Sequence, residues 1–223
     1  MSEVRQQIRA SARNIFAENL IKIKFVSGKD LAECVSIYSR MKCQNCGLYG
    51  RAILCPPLLT QTYPQFETIQ SSIKFYNKEV ATSAVFVFKN DGTLPWKRNP
   101  KDLEHIEFKK RVARQLKGVE NGSAKEINRQ MRRLQVSMHN NYGGECISLI
   151  AGHCDICPGS HRCPNRENPP CRMKGMPSME ATGLDVYGIL NHLDIEYEYP
   201  ALTYLTQVTC LLVLKNKRRR DED

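Results

Sequence analysis

Val80–Lys89, V-A-T-S-A-V-F-V-F-K, is the strongest strand signal in this 223-residue chain. β-branched and aromatic residues dominate it, and its apolar residues run on without a clean alternation. That density predicts burial on both faces, hence a sheet covered by helices. Cys146–Ala151 and Gln207–Lys215 read as further buried strands, and Ile195–Tyr199 alternates like a half-buried one. Between these stretches the apolar spacing is helical. Helices are expected over Ser2–Leu20, with Ile8, Ala12, Ile15, Phe16 and Leu20 on one side, and over Ser27–Met41. The second would be capped by Asp30, with Leu31, Cys34, Val35, Tyr38 and Met41 as its apolar side. Tyr63–Tyr76, Asp102–Leu116 and Ala124–Asn140 follow, the last two parted by Gly118–Ser123. Val186–His192 closes the series behind an Asp185 cap. Asn90-Asp91-Gly92 reads as a turn, and Thr93–Pro100, with the single tryptophan Trp96, as a loop. The expected class is α/β, with α+β as the alternative arrangement of a small sheet covered by helices.

A length under about 250 residues fits one domain. Residues 1–214 are therefore expected to form a single metal-binding domain, with 215–223 a charged, disordered tail. No apolar run reaches about 18 residues, and the polar N-terminus lacks a signal-peptide core. The expected location is cytoplasmic, with no membrane association. In a reducing cytosol, closely spaced cysteines act as metal ligands more readily than as disulfides.

The ten cysteines are not scattered. Met41–Pro57 contains C-Q-N-C-G-L-Y-G-R-A-I-L-C-P-P, with Cys43, Cys46 and Cys55. Gly152–Ala181 contains Cys154, Cys157, Cys163 and Cys171. A C-x2-C pair lets the backbone loop over a metal with both sulfurs on one side. Gly47 and Gly50 permit the positive φ such loops use. Cys55, Cys157 and Cys163 each precede a proline, as does the last cysteine of bacterial ferredoxin runs. Zinc commonly takes two C-x2-C pairs in a closed tetrahedron. Here each segment has one pair followed by widely spaced single cysteines, which matches cubane iron–sulfur binding better and makes two [4Fe–4S] clusters the leading expectation, zinc the alternative. The second segment supplies four thiolates and the first only three. One iron of the first site would then be open, unless Cys34, Cys146, a histidine or another chain completes it. His153 and His161 read as exposed groups or hydrogen-bond donors to the ligands, and Arg162, Arg166 and Arg172 as charges favouring a reduced cluster. Cys210 reads as core.

The net charge is +10. Lys97–Arg133 alone carries twelve Lys/Arg against five Asp/Glu, a net +7. Such a stretch is either a solvated helix face or a docking surface for an acidic redox partner. No aromatic RNA-binding motif or histidine-bearing zinc finger accompanies it, which argues against nucleic acid. Nucleotide-binding glycine loops, a nucleophile elbow and the C-x3-C-x2-C radical motif are all absent, and Glu180 and Asp185 are isolated carboxylates.

C-Q-N-C-G-L-Y-G-R-A-I-L-C-P-P resembles the pattern C-x2-C-x2-Y-G-x4-C-P-P. G-H-C-D-I-C, a later C-R, and P-S-M-E-A-T-G-L-D-V-Y resemble G-x-C-x2-C, C-R and P-S-M-E-A-x-G-I-D-V. Together, over Met41–Tyr187, they resemble a prokaryotic family of predicted metal-binding proteins of unknown function, frequent in anaerobic bacteria and methanogenic archaea. That family usually continues C-x2-C-x2-C, whereas five residues separate Cys157 from Cys163 here, and the spacing from Cys171 to Pro177 is shorter. The resemblance implies metal binding and no particular reaction. The leading functional expectation is an iron–sulfur carrier passing electrons to a partner enzyme. The alternatives are an enzyme or metallocofactor-maturation and sulfur-transfer factor using the open iron, and a zinc-stabilised binding module.

Overall fold

The computed structural model describes residues 2–16, 20–46, 48–90, 106–154, 157, 170–171, 175–198 and 204–215, without the side chains of 90 and 106–123. Expectations for Asp91-Gly92, Thr93–Pro100 with Trp96, His161, Cys163, the arginines at 162, 166 and 172, Tyr199 and the tail beyond Lys215 lie outside the described residues.

Four strands form one antiparallel sheet: β1 (Leu20–Val26), β2 (Val80–Asn90), β3 (Cys146–Leu149) and β4 (Leu205–Leu214), in the order β1-β2-β4-β3. The antiparallel pairing makes the fold α+β. The central pair runs in register from Thr82 opposite Val213 to Asn90 opposite Leu205. Both central strands are buried along almost their whole length, as the apolar density of Val80–Lys89 requires.

Two cores lie on the two faces. Ala84, Phe86, Phe88, Leu211 and Val213 point toward α1 (Ser2–Ile15) and α5 (Ile106–Tyr142), meeting Ile8, Phe16, Met131, Leu134 and Met138. Val85, Val87, Val208, Cys210 and Leu212 point the other way, toward α2 (Gly28–Glu33), α4 (Ile69–Glu79) and α6 (Val186–His192). The stripe Ile127, Met131, Leu134 and Met138 is core, as its 3.6-residue spacing predicts.

Several expected elements differ. The first helix ends at Ile15, and Leu20 begins an edge strand. Leu20–Val26, L-I-K-I-K-F-V, alternates apolar and lysine residues, which is a strand signal. The Arg5 and Arg9 guanidiniums of α1 stand 5.4 and 5.0 Å from the Phe25 ring centroid and join strand to helix. The helix expected over Ser27–Met41 is two, α2 and α3 (Ile37–Gln44). Ser27, not Asp30, is the cap of α2. Asp30 answers from the third position in a capping box, and the Ser27 hydroxyl lowers its carboxyl pKa. The chain breaks at Cys34–Ser36 because these residues bond to a distant segment: Asp185 N–H donates to Cys34 O at 2.9 Å and Ser36 N–H to Gly183 O at 2.8 Å. The apolar side drawn through both pieces therefore fails, and Tyr38 and Met41 are 70% and 49% exposed.

Tyr63–Tyr76 starts as a 3₁₀ turn at Pro64–Phe66 and becomes α4 only at Ile69, behind a Thr68 capping box. The two basic helices are one, α5. Gly118 and Gly122 cost helix propensity but keep their N–H groups, and no proline interrupts the span. Asp185 caps α6 by position, without a side-chain hydrogen bond. Residues 195–198 are irregular, not a strand. No helix among the described residues is long and apolar enough to cross a membrane.

Cys146 and Cys210 are core residues, and burial is the main cause pushing both thiols up to about 12. Their pKa values are raised above the unfolded value, so their contribution is whole below about pH 8.5 and declines as pH climbs toward 12. A Cys210→Ala variant should therefore lose stability less steeply than wild type between about pH 9 and 11, read as urea midpoints across a pH series. Leu134→Ala, which opens a cavity between α5 and the sheet, should cost about 2–5 kcal/mol in denaturant unfolding without changing bound metal.

Candidate metal centre

The first cysteine segment is a continuation of α3. Cys43 lies in the last turn of that helix, and the Cys46 N–H donates to Cys43 O at 3.0 Å. From there the chain coils in short turns: Tyr49 N–H to Cys46 O, Arg51 and Ala52 N–H to Leu48 O, Cys55 N–H to Ala52 O. Gly50 adopts φ 64° and its N–H donates to Pro56 O, closing the loop on the Pro-Pro step. Ile53 and Leu54 are buried and anchor the loop to the core facing α2 and α4.

The second segment leaves β3. Ile150 N–H donates to Pro177 O and Met179 N–H to Ile150 O, so the outgoing and returning arms pair beside the sheet. Gly152 turns the chain at φ 77° and Cys154 follows, packed against both cores. Asn128 of α5 steadies the arm, its amide donating to Ala151 O at 3.3 Å and His153 O at 3.5 Å.

Two bonds then tie the second segment to the stretch that follows the first. The Tyr63 hydroxyl donates to Gly175 O at 2.8 Å, buried, and Cys171 N–H donates to the Thr62 hydroxyl at 2.9 Å. Between them the Gly175 backbone faces sulfur. A Cβ placed there would stand 2.6 Å from Leu54 Cδ1, 3.1 Å from Cys154 Sγ and 3.5 Å from Cys171 Sγ. Leu54 comes from the first segment and both thiols from the second, so Gly175 sits where the two meet.

The electrostatics agree. Burial, then Cys46, Cys43 and Cys154, push the Cys55 thiol up to about 12. The first three cysteines thus influence one another, and Cys154 of the second segment reaches Cys55. Burial, then Glu180 and Cys46, raise Cys43 to about 11, against the opposing Arg40 guanidinium. Burial, then Cys171, raises the Tyr63 phenol. Cys46 is exposed, Cys43, Cys55, Cys154 and Cys157 are half-buried, and Cys171 is buried. Cys163 lies outside the described residues.

Other expected candidates stand elsewhere. Burial, then the charges of Asp185, Glu33 and Asp30, push the Cys34 thiol up to about 11, and Cys34 packs against the core. Cys146 is buried in β3. His153 is exposed. Sequence reading set Glu180 aside and did not single out Arg40 or Gly175. Arg40 donates to Phe66 O, Glu67 O and the Ser72 hydroxyl, tying α3 to the start of α4 beside Cys43. The K-G-M-P context of Gly175 marks a loop glycine and nothing more, because its neighbours are remote in sequence.

A family model described as "Predicted metal-binding protein (DUF2284)" matches residues 33–213. The chain belongs to that family. No curated protein and no solved structure matches it. The matched span contains every cysteine named above as a candidate ligand. Among the described residues, no group of three or more His, Cys, Asp or Glu side chains stands at ligating separation. The donor chemistry nonetheless fits a metal. The thiols are soft donors, and the Gly175 cradle keeps two sulfurs free of a side chain that would wedge against them.

Gly175→Val should therefore cut metal bound per chain, measured by elemental analysis, while leaving the far-ultraviolet circular dichroism near wild type. Full metal content in that variant would mean the cradle has no part in binding.

Proposed function

We propose that this metal-binding protein is an iron–sulfur protein with two [4Fe–4S] clusters that passes electrons to a partner. Cys43, Cys46 and Cys55 would hold one cluster, and Cys154, Cys157, Cys163 and Cys171 the other. The observation that carries the reading is the meeting of the two cysteine segments at Gly175, where Leu54 of the first stands beside Cys154 and Cys171 of the second. A structural zinc site needs one closed set of four ligands. Seven thiols in two segments, with Cys55 in electrostatic reach of Cys154, supply more donors than one such site uses. Clusters held side by side suit the handing on of electrons.

The chain's own residues would set the behaviour of the clusters. The Cys43 and Cys55 thiols are raised by burial, so loading them would release protons, and cluster uptake would strengthen with pH. The Arg40 cation beside Cys43 lowers that thiol and favours the more negative form of the site. Lys125, Arg129 and Arg133 are exposed at successive four-residue spacings on α5. Asn128 of the same helix bonds the arm that carries Cys154. This cationic strip supports the docking of an acidic partner near the second site. The Arg129–Glu126 pair on it is exposed and contributes little to stability.

Anaerobic purification with iron and acid-labile sulfide analysis is the test. Two four-iron cubanes predict about eight irons and eight sulfides per chain, falling to about four in a Cys43→Ser/Cys46→Ser/Cys55→Ser variant. Zinc without sulfide would overturn the proposal.

A further inference from the structure

α3 is inverted for a surface helix. Ile37, Tyr38 and Met41 share one arc of about 100° on it, and they are 59%, 70% and 49% exposed. Ser39 and Cys43 occupy the opposite arc, Ser39 buried and Cys43 half-buried. A surface helix ordinarily buries its apolar stripe and shows its polar one. Tyr49, whose N–H donates to Cys46 O, adds a fourth open side chain, and Cys46 itself is exposed just past the helix. Among the described residues the other open large apolar side chains are Ile21 on β1 and Val136 on α5. Open apolar surface is therefore concentrated on the stretch that carries the first three cysteines.

The helix is anchored independently of that face. The Ser36 hydroxyl caps it, Ser36 N–H donates to Gly183 O at 2.8 Å, and Arg40 donates to Phe66 O and Glu67 O. It presents its outward side chains with little ordering left to do on binding. The charge around them has one sign. The 33 residues from Cys34 to Phe66 contain no Asp or Glu, while Arg40, Lys42 and Arg51 give the stretch a net +3. Lys42 and Arg51 are exposed. The Lys42 Nζ stands 5.1 Å from the Tyr187 ring centroid, which holds its cation beside α3. Of the acids that the fold brings to α3, Glu180 and Asp185 are half-buried, and Glu33 is exposed at the end of α2.

We propose that Ile37, Tyr38, Met41 and Tyr49, flanked by Lys42 and Arg51, form a docking surface for an acidic electron-carrier protein, which meets the first cysteine segment there. Tyr, Met and Arg are the residues enriched at the centres of protein interfaces. Charge selects the occupant. A second copy of this +10 chain would set its own Lys42 and Arg51 against these, whereas Asp and Glu around an apolar spot complement them. Size agrees. Four partly open side chains offer on the order of 400 Å², half the roughly 800 Å² per partner of a stable complex and in the range of brief redox encounters. Nucleic acid fits less well, since two exposed cations around an apolar centre neutralise few phosphates. That the partner carries electrons rests on the iron–sulfur reading above, and that it is acidic with an apolar centre rests on this surface. Together with the α5 strip, α3 gives the chain a docking face for each cysteine segment.

The test uses the full chain, purified anaerobically, with an acidic flavodoxin as the probe and binding followed by calorimetry and stopped-flow association at low salt. The variants are Ile37→Ser/Tyr38→Ser/Met41→Ser combined, Tyr38→Ser alone, Lys42→Glu, Arg51→Glu and, as an exposed apolar control on α5, Val136→Ser. The combined variant is expected to raise Kd about tenfold or more. Lys42→Glu and Arg51→Glu should slow association and flatten its dependence on salt. Val136→Ser should match wild type. Tyr38→Ser reads the same face should the combined variant fail to fold. Undiminished affinity in both apolar variants, or a wild-type chain that does not bind the probe, would overturn the proposal. So would wild-type self-association lost in the combined variant, which assigns the face to a second copy, or Tyr38-dependent binding to phosphatidylglycerol vesicles, which assigns it to an anionic membrane. Iron and sulfide analysis of the same samples separates the two readings. An iron–sulfur protein that ignores the probe overturns this surface alone. A chain without iron and sulfide that still binds through Tyr38 overturns the electron-carrier role and leaves the acidic partner standing.

Discussion

One buried hydrogen bond, from the Tyr63 hydroxyl to Gly175 O, joins parts of the chain 112 residues apart, and the candidate site depends on it. Leaving that carbonyl without a donor would cost about 1–3 kcal/mol. Its neighbour, Cys171 N–H to the Thr62 hydroxyl, fixes the same junction. Neither cysteine segment is self-supporting: the first is a chain of single turns and the second a pair of arms leaving the sheet. Each is positioned by the other and by the elements at its root. The metal-free fold thus brings the two segments to one junction, with Leu54 of the first beside Cys154 and Cys171 of the second at Gly175.

The sheet makes that junction possible. β3 delivers the outgoing arm, and the returning arm pairs beside it through Pro177 and Met179. Cys154 lies where the two cores meet and touches both. The helical framework on the other side places α3 through α2 and α4, with Gly28 letting α2 come close to the Tyr76 carbonyl. Because burial makes the Cys43 and Cys55 thiols resist ionisation, their charge develops as metal displaces their protons. Folding therefore does not have to confine these two as thiolates.

What was legible in the sequence follows range of interaction. β2, β3 and β4, the α5 stripe and the cysteine segments are set by local spacing, and their existence was readable. Strand direction was not, since apolar density looks alike in parallel and antiparallel sheets buried on both faces. β1 was absorbed into the preceding helix because Leu20 continues the apolar spacing of α1. The break between α2 and α3 depends on Gly183 and Asp185, far along the chain, and its one local mark is Ser36, whose hydroxyl caps α3. Gly175 shares this property: it matters through Tyr63 and Leu54, more than a hundred residues away.

Arg40 shows how the frame imposes charge on the site. Its Nη groups donate to Phe66 O, Glu67 O and Ser72, at the capped start of α4. A guanidinium so anchored cannot swing to pair fully with whichever anion forms nearby. It stays a fixed cation beside Cys43, and burial lowers its pKa without removing its charge. Glu180 acts on the same thiol with the opposite sign from a turn that is equally rigid. Cys43 therefore feels two charges of opposite sign, each carried by an element with its own anchors. The fold sets the electrostatics of the first segment, whereas the cysteine spacing sets only which atoms are available to bind.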